Sequence, residues 1–226
     1  MKIGIFFGGQ SREREISFAG GRTVYDNLNK ELFEPIPIFV DSLGNLILLD
    51  WQYIYKGTIR DFYPPFSTIP DTKHNFQVYI ESLGKLSTDE LNDVISKVGR
   101  KIQIEELPQL MDFAFLALHG PYGEDGNLQG LLEWLNIPYS GSGILPSAIG
   151  IDKSIQKSLM QQAGFPSPKS EILSKKTWFS AENKENIFSD LIESLGLPLV
   201  IKAPHQGSSI GISTVSYTHL TLPTTP

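Results

Sequence analysis

The sequence predicts an α/β protein in which a first domain built on a parallel β-sheet precedes a smaller α+β domain. Two near-continuous apolar runs, Lys2–Phe7 and 111–120, are typical of strands that are covered on both faces. Apolar residues recur at helical spacing from Ile16 to Leu28, and a second strand follows at 33–41, which predicts a β-α-β unit with parallel strands. Beyond residue 145 the pattern changes to a long helix and then to strand, helix, strand, loop and strand.

The composition is that of an ordinary globular protein and excludes several classes of function. Of the 226 residues, 40% are hydrophobic and 19% are charged, and the net charge is −6. An acidic chain is poorly suited to bind nucleic acid or an anionic membrane, and we expect neither partner. The absence of cysteine excludes disulfides, thiolate metal sites and a cysteine nucleophile. Because no signal-peptide core or membrane-spanning run is present, we expect a cytoplasmic protein.

The domain boundaries are predicted from changes in these patterns. We expect a first domain over 1–145, in which the aromatic and proline-rich stretch 51–86 is an insertion, and a second domain over 146–214. Residues 215–226, rich in Thr, Leu and Pro, are predicted to be a disordered tail. Ser87 and Glu90 form a predicted capping box. The other predicted elements are a strand at 44–50, helices at 128–135, 146–162 and 185–196, and strands at 165–173, 197–204 and 210–215.

The first stretch that could carry chemistry is IFFGGQSRERE, where a strand, a glycine turn and a helix meet. Backbone N–H groups and the positive end of the helix dipole favour a ligand there. A dinucleotide fingerprint needs G-x-G-x-x-G, whereas only Gly8 and Gly9 occur, so a dinucleotide-dependent oxidoreductase is weakly supported. Glu13 and Glu15 either complement the helix dipole or offer a carboxylate that grips an ammonium group at the carboxyl edge of the sheet; these residues alone favour the first interpretation.

A polar, glycine-lined patch follows the strand at 111–120. His119 ends that strand at the same carboxyl edge, and Glu124 and Asp125 lie in the loop beyond it. A histidine in this position is commonly structural, and the two acids can cap the next helix. The concentration of polar groups and glycines at the expected ligand-binding edge supports a functional interpretation equally well.

The second domain contains two lysines and a glycine–serine loop. Lys153 lies early in a helix, where solvation of the side chain is the usual explanation. Lys202 follows an apolar strand, and a buried ammonium needs a partner. The next residues, Gly207–Gly211, are either a hairpin loop or a cradle whose N–H and hydroxyl groups bind phosphate. This is not a Walker loop, in which the lysine follows the glycines on a helix.

A strand lysine followed by a glycine–serine loop resembles the ATP-grasp arrangement. Four stretches, taken in order, resemble the signatures of bacterial D-alanine–D-alanine ligases and extend to about Thr214. They are GGQSRERE, LHGPYGEDGNLQGLLE, IPYSGSG followed by SAIGIDKSIQK, and GLPLVIKAPHQGSSIGIS. The resemblance implies a Rossmann-like pre-ATP-grasp first domain and an incomplete ATP-grasp second domain. The KAP of this chain, where lysine-proline is more usual, is a mild departure from the family pattern.

The resemblance also assigns roles to individual residues. Glu13 is implied to hold the ammonium group of the first D-alanine, and His119 is implied to line the same pocket. Ser208 is implied to join Glu13 in a catalytic hydrogen-bond network around the substrate. The residues implied to bind the ATP phosphates are Lys153, Lys202, Gly207, Ser208, Ser209 and Gly211.

The reaction implied by the resemblance is the ATP-dependent ligation of two D-alanines, through a D-alanyl phosphate, for peptidoglycan precursors. ATP and Mg²⁺ are the implied cofactors, and a homodimer through the first domain is expected. The family's metal ligands, adenine pocket and lid lie beyond the signatures found here, so we assign no metal ligand and expect this chain alone to be inactive. The stretch VSYTHLTLPTT resembles the translation of a sequencing adapter, which favours a foreign tail over 215–226.

Other hypotheses stay open beside this one. A D-alanine–D-lactate ligase shares these motifs. The motifs do not separate it from a D-alanine–D-alanine ligase, because the lid largely selects the second substrate. Another ATP-grasp carboxylate–amine ligase would share the lysine and the glycine loop but hardly the HGPYGEDGNLQG run. A non-catalytic module that holds a nucleotide or an amino acid would bind the nucleotide without dependence on Mg²⁺.

Overall fold

The computed structural model describes residues 1–56, 87–207 and 211–216. The chain divides into two compact units, Met1–Gly150 and Ile151–Pro226. The sequence-based boundary near residue 145 stays a prediction. Most of the predicted insertion at 51–86 falls outside the described residues.

Among the described residues of the first unit, five strands form a sheet: β1 (Lys2–Gly8), β2 (Glu34–Val40), β3 (Leu46–Leu49), β4 (Gly99–Ile102) and β5 (Phe113–Leu116). Their order across the sheet is β4-β3-β2-β1-β5. Strand β1 pairs in parallel with both β2 and β5, whereas β3 is antiparallel to β2 and to β4. The predicted α/β class is therefore confirmed, but the sheet is mixed and its parallel part is confined to β2, β1 and β5.

A tight turn explains why β3 runs antiparallel to β2. Asp41 Oδ1 accepts hydrogen bonds from the backbone N–H groups of Leu43 and Asn45 at 2.8 and 2.9 Å. The other carboxylate oxygen accepts from the Asn45 amide at 2.7 Å. A connection this short can join only antiparallel neighbours, because a parallel pair needs a crossover of roughly a dozen residues or more.

Helices flank this sheet. The capping box predicted at Ser87 and Glu90 is confirmed: Ser87 N donates to Glu90 Oε2 at 2.9 Å, and Glu90 N donates to Ser87 Oγ at 3.4 Å. The helices that the structure describes here are α1 (Arg14–Asn27), α2 (Gln52–Lys56), α3 (Thr88–Ser96), α4 (Leu107–Leu110, after a 3₁₀ turn at Ile104–Glu106), α5 (Asn127–Trp134) and α6 (Ile144–Ile151).

Apolar side chains cover both faces of the sheet, which is why β1 is a near-continuous apolar run. One core contains Phe7, whose ring packs edge-on against Phe18 of α1 with 5.3 Å between the ring centroids, and lies 5.8 Å from the ring of Phe39. The other core contains Phe6, the residue before Phe7 in the strand, with Leu132 of α5. Helices α1 and α5 are thus fixed beside the carboxyl ends of β1 and β5.

The described part of the second unit is helical with a small sheet. Strands β6 and β7 are antiparallel, and Val215 of β7 pairs with Leu199. The strand therefore reaches one residue into the segment predicted to be a tail, and residues 217–226 lie outside the described part. The elements are α7 (Lys153–Gln162), α8 (Lys175–Ser180), α9 (Lys184–Leu195), β6 (Leu199–Ile201) and β7 (Ser213–Val215).

Two predicted elements need correction. The helix predicted at 146–162 is divided at Asp152, whose backbone is extended (φ −88°, ψ 100°) and whose side chain caps the start of α7. The strand predicted at 165–173 is not formed. Pro166 and Pro168 lack the backbone N–H donors that a paired strand needs, which explains the irregular backbone there.

Burial differs between the two units. In the described part of the second unit, Val215 is the one buried hydrophobic side chain, and Ile155, Phe165 and Phe179 are exposed. The buried core of the described chain therefore lies almost wholly in the first unit. Among the helices of both units that the structure describes, none combines the length and the apolarity needed to cross a bilayer.

Candidate functional site

The carboxyl edge of the parallel strands in the first unit is held together by Ser17, a buried residue in the first turns of α1. Its hydroxyl accepts a hydrogen bond from the N–H of Gly8 at 2.9 Å and donates one to the carbonyl of Ala117 at 2.7 Å. One side chain thus joins the end of β1 to the segment that follows β5. Ser17 was not predicted as a site residue, although a serine on the buried face of an amphipathic helix is a usable signal.

Glu13 lies at this edge as the N-cap residue of α1. Its N–H donates to Ser11 Oγ at 2.9 Å, and its carbonyl accepts from the N–H of Ser17 at 3.0 Å. The half-buried side chain extends toward Gly120: a Cβ built on that glycine would lie 2.9 Å from Glu13 Oε2. Gly120 also has φ +71°, so glycine is required there both for space and for backbone conformation.

His119, the residue before Gly120, is half-buried at the same edge. Its Nδ1 lies 3.7 Å from Glu124 Oε1. The structure therefore places the Glu13 carboxylate close to Gly120, the residue that directly follows His119. This placement agrees with the predicted location of both residues at the sheet edge.

The loop after His119 is folded by its own acidic residues. Glu124 Oε2 accepts from the N–H of Gly120 at 2.6 Å, and Asp125 accepts from the N–H groups of Tyr122 and Asn127 at 2.8 and 3.1 Å. The contact with Asn127, the first residue of α5, agrees with the capping interpretation of Asp125. Glu124 instead closes the turn that follows His119, through its hydrogen bond with the N–H of Gly120.

Gln129 supports this loop from below. The side chain is buried, and its amide N–H donates to the carbonyl of Gly123 at 2.9 Å.

Glu15, the other acid of the first helical turn, lies apart from these contacts: burial raises its pKa, and the nearby Arg14 guanidinium opposes that shift. Of the two acids that the sequence offered, Glu13 is the one directed at the edge.

The second polar cluster lies within the second unit, where α7 begins. Lys153, the first residue of that helix, donates from Nζ to the carbonyls of Pro204 and Gln206 at 3.3 and 2.6 Å. Its backbone N–H donates to the same Pro204 carbonyl at 3.2 Å. The Lys153 side chain is thus directed at the loop that follows Lys202, and its phosphate-binding role stays a prediction.

Asp152 organises this cluster. Its Oδ1 accepts from the N–H groups of Ser154 and Ile155 at 2.9 and 3.2 Å and from the Ser154 hydroxyl, and its Oδ2 lies 3.0 Å from His205 Nε2. The Ser154 hydroxyl, with the other hydrogen-bond donors, holds the pKa of Asp152 well below its usual range. Neither Asp152 nor His205 was singled out from the sequence, because their pairing joins residues far apart in the chain.

Lys202 differs from its prediction. It directly follows β6 as expected, but its side chain is exposed, as are Val200 and Ile201 of that strand. The buried environment predicted from LPLVI is absent because β6, in the described residues, has a single partner strand and lies on a unit with little core. The predicted burial of Lys202 is therefore wrong, and its exposed ammonium group does not need a protein partner, but Lys202 does lie directly before the loop.

The glycine–serine loop is described only at its ends. Gly207 is half-buried, and Gly211 has φ +70°, a conformation that favours glycine. Ser208 and Ser209 lie outside the described residues. The phosphate-binding roles of these four residues stay predictions.

The described residues do not fit a Mg²⁺ site. A protein-bound Mg²⁺ takes carboxylate oxygens, and within 1–56, 87–207 and 211–216 there is no group of three or more His, Cys, Asp or Glu side chains that could hold a metal.

The described residues form an α/β protein with two polar clusters, a carboxylate and imidazole edge on the sheet of the first unit and a lysine–loop cluster within the second unit. Models of known families match both units: the D-ala D-ala ligase N-terminus matches residues 2–142, and the D-ala D-ala ligase C-terminus matches residues 159–221. The chain belongs to the D-alanine–D-alanine ligase family.

Individual relatives agree with this assignment. The D-alanine–D-alanine ligase of Geobacillus thermodenitrificans is 32% identical over 212 residues, which are 94% of this chain and 53% of the relative. The structure of the Coxiella burnetii D-alanine–D-alanine ligase matches with a TM-score of 0.69 and 26% identity, over 96% of this chain and 57% of that one. The Bacillus anthracis enzyme in complex with ATP matches with a TM-score of 0.58 and 28% identity, over 96% and 50%. The chain thus spans about half the length of the relatives that it matches.

Proposed function

We propose that this chain provides the first D-alanine pocket and the ATP phosphate-binding groups of a D-alanine–D-alanine ligase. The observation that carries the proposal is the Glu13 carboxylate placed against Gly120, next to His119, at the carboxyl edge of the sheet. A carboxylate at that edge suits the ammonium group of an amino acid, and α/β proteins bind their ligands at this edge. The relatives named as D-alanine–D-alanine ligases supply the substrate class.

In this proposal the two clusters have separate roles. Glu13 holds the ammonium group of the first D-alanine, and His119 lines the pocket beside it. The phosphate groups of ATP bind to cations and to backbone and hydroxyl donors of the second unit, and Ser208 additionally joins the network around the substrate. The phosphate-binding residues are Lys153, Lys202, Gly207, Ser208, Ser209 and Gly211.

The proposed chemistry is a carboxylate activation followed by an amide-forming step. The carboxylate of the first D-alanine attacks the γ-phosphorus of ATP, ADP leaves, and a D-alanyl phosphate forms. The amine of the second D-alanine then attacks the acyl carbon to form the C–N bond and releases a proton to solvent, and phosphate leaves with the electrons of the broken C–O bond. Lysines that neutralise the phosphates favour the first step. The product serves peptidoglycan precursor synthesis, which implies a cytoplasmic protein, and a homodimer through the first domain is part of the same proposal.

The proposal includes inactivity of the 226-residue chain by itself. Its relatives are about twice as long, and the residues described here do not fit Mg²⁺, a cofactor that the phosphoryl transfer requires. Incubation of the purified chain with ATP, Mg²⁺ and D-alanine is expected to release no phosphate above the rate without D-alanine. A D-alanine-dependent release of phosphate would overturn this part of the proposal.

Binding tests the pocket directly. Saturation-transfer NMR of the purified chain is expected to detect D-alanine and to detect L-alanine more weakly. Glu13→Gln removes the negative charge at constant size and is expected to weaken the D-alanine signal, because a neutral amide holds an ammonium group less strongly. Glu15→Gln is the matched control and is expected to leave the signal unchanged. An equal effect of both substitutions would contradict the role of Glu13.

A further inference from the structure

We propose that Asp152 and His205 are positioning residues that dock loop residues 203–207 onto the start of α7. The inference rests on the proposed phosphate-binding role of Lys153 and names the contacts that fix its ammonium group. Neither residue is assigned to touch ATP or D-alanine. Both act through the position of Lys153 relative to the loop.

The two oxygens of Asp152 have different partners. Oδ1 caps α7 through the N–H groups of Ser154 and Ile155, at 2.9 and 3.2 Å. Oδ2 faces outward to His205 Nε2 at 3.0 Å. A helix cap needs one acceptor atom, as a serine hydroxyl would provide, so capping does not account for the second oxygen. The contact with His205 is what the longer carboxylate adds.

His205 lies between the two loop carbonyls that Lys153 uses. Pro204 O accepts from both the backbone N–H and the Nζ of Lys153, at 3.2 and 3.3 Å. Gln206 O accepts from Nζ at 2.6 Å. Three consecutive loop residues are therefore attached to two consecutive residues at the start of the helix. The Asp152–His205 contact is the one member of this set made by a loop side chain.

This arrangement has a consequence for phosphate. An ammonium group has three N–H donors, and two of those on Lys153 are directed at Pro204 O and Gln206 O. Among the described residues no further partner takes the third, so a phosphate oxygen can accept it without displacing the other two. A lysine held in this way loses less side-chain freedom on binding than one that is free to rotate. Loosening the loop should therefore weaken phosphate binding even though no phosphate contact is removed.

The backbone N–H of Lys153 offers a direct measurement of loop docking, because its acceptor is Pro204 O and not the Asp152 side chain. We expect His205→Ala to raise the hydrogen-exchange rate of that amide by about five-fold, the effect of losing one partly exposed charge-assisted contact. Asp152→Ser keeps a cap but is too short to reach His205, so it is expected to give a similar increase. The amide of Gln156, which donates to Asp152 O within the helix, is expected to keep its rate.

A double variant and a rescue variant test whether Asp152 and His205 act through their mutual contact. The double variant Asp152→Ser/His205→Ala is expected to match either single variant, because each removes the same contact. His205→Gln retains an N–H donor for Asp152 and is expected to restore the wild-type exchange rate. Asn183→Ser is the matched control: it makes a comparable change at the cap of α9, where Asn183 accepts from the N–H of Glu185 at 2.8 Å, and is expected to leave the Lys153 amide unchanged.

Tripolyphosphate, titrated into the purified chain by calorimetry, tests the consequence for binding. Asp152→Ser and His205→Ala are each expected to weaken its binding by about five-fold, and Asn183→Ser is expected to have no effect. The positioning role is overturned if the exchange rate of the Lys153 amide is unchanged in both single variants. It is also overturned if the increase in that rate in the double variant is the product of the two single increases. If the wild-type chain binds no tripolyphosphate, the proposed phosphate-binding function is contradicted instead. The exchange rate of the Lys153 amide then still shows whether Asp152 and His205 dock the loop.

Discussion

The hydroxyl of Ser17 lies 2.7 Å from the backbone carbonyl oxygen of Ala117, a residue one hundred positions later in the chain. The same hydroxyl accepts from the N–H of Gly8. Gly8 is the last residue of β1, Ala117 directly follows β5, and both residues are buried. Ser17 thus supplies the hydrogen-bond partner of two buried backbone groups, at the sheet edge where Glu13 also lies.

Ser17→Ala is expected to lower the free energy of unfolding of the first unit by about 1–3 kcal/mol, because it leaves one buried donor and one buried acceptor without a partner. Urea unfolding followed by circular dichroism measures the change. Thr23→Ala is the control on the same helix, since the exposed Thr23 hydroxyl donates to the carbonyl of Ala19 at 2.9 Å, and it is expected to change stability by less than about 0.5 kcal/mol. Equal effects would show that the Ser17 bridge has no special contribution.

Gly120→Ala is expected to disturb the proposed D-alanine pocket. The new Cβ would lie 2.9 Å from Glu13 Oε2, so the carboxylate must move. Gly141→Ala is a close control: Gly141 also has a positive φ, of +98°, but a Cβ there meets nothing within 4 Å. Both substitutions are expected to cost about 1–2 kcal/mol of unfolding free energy from backbone strain, and only Gly120→Ala is expected to weaken D-alanine binding as well. Loss of binding in both variants would indicate a general structural effect.

Much of the first unit could be predicted from the sequence, because its signals are local. The apolar run of β1, the helical spacing of α1 and the Ser87–Glu90 capping box each lie within a short window, and all three are formed. The direction of β3 was not predicted, because it depends on the side chain of Asp41 closing a turn. The break at Asp152 was missed because periodicity alone does not distinguish one long helix from two consecutive ones.

The candidate site was predictable in part for the same reason. Glu13 and His119 could be placed at one edge, since the carboxyl ends of neighbouring parallel strands lie together. The Asp152–His205 pair could not, because it joins positions 53 residues apart through a loop with no regular structure. The expected burial of Lys202 was wrong, since an apolar strand sequence reports the tendency to be buried and not the presence of covering elements.

The packing of α1 on the sheet predicts opposite effects at two adjacent glycines. A Cβ on Gly21 would lie 2.5 Å from the Phe7 side chain, whereas a Cβ on Gly20 would meet its nearest neighbour, Ala117 Cβ, at 4.0 Å. Gly21→Ala is expected to destabilise the first unit by about 1–3 kcal/mol through overpacking. Gly20→Ala is expected to stabilise it by up to about 1 kcal/mol, because alanine favours the helix over glycine. Denaturant unfolding of both variants checks the difference, and the same sign at both positions would contradict this packing.

Tyr139 is expected to make the free energy of unfolding depend on pH in the alkaline range. Its hydroxyl donates to Glu133 Oε1 at 2.6 Å, and this hydrogen bond, with burial and the carboxylate charge as smaller causes, raises the pKa of Tyr139 to about 12 from an ordinary value of 10.0. A group whose pKa is raised on folding contributes its full stability below the unfolded-state pKa. That contribution is lost as the pH rises through the folded-state pKa, here between pH 10 and about 12.

The titration of Tyr139 can be followed through the ring carbon next to its hydroxyl in protein labelled with ¹³C-tyrosine. We expect a midpoint near pH 12 in the wild type and a lower midpoint in Glu133→Gln, because the amide removes the negative charge that opposes ionisation. Tyr55 is an internal reference, since its hydroxyl donates to Asp26 Oδ1 at 2.6 Å and its pKa is also raised to about 12. Glu133→Gln should leave Tyr55 unchanged. A Tyr139 midpoint that is unaffected by the substitution would show that the carboxylate is not the cause of the shift.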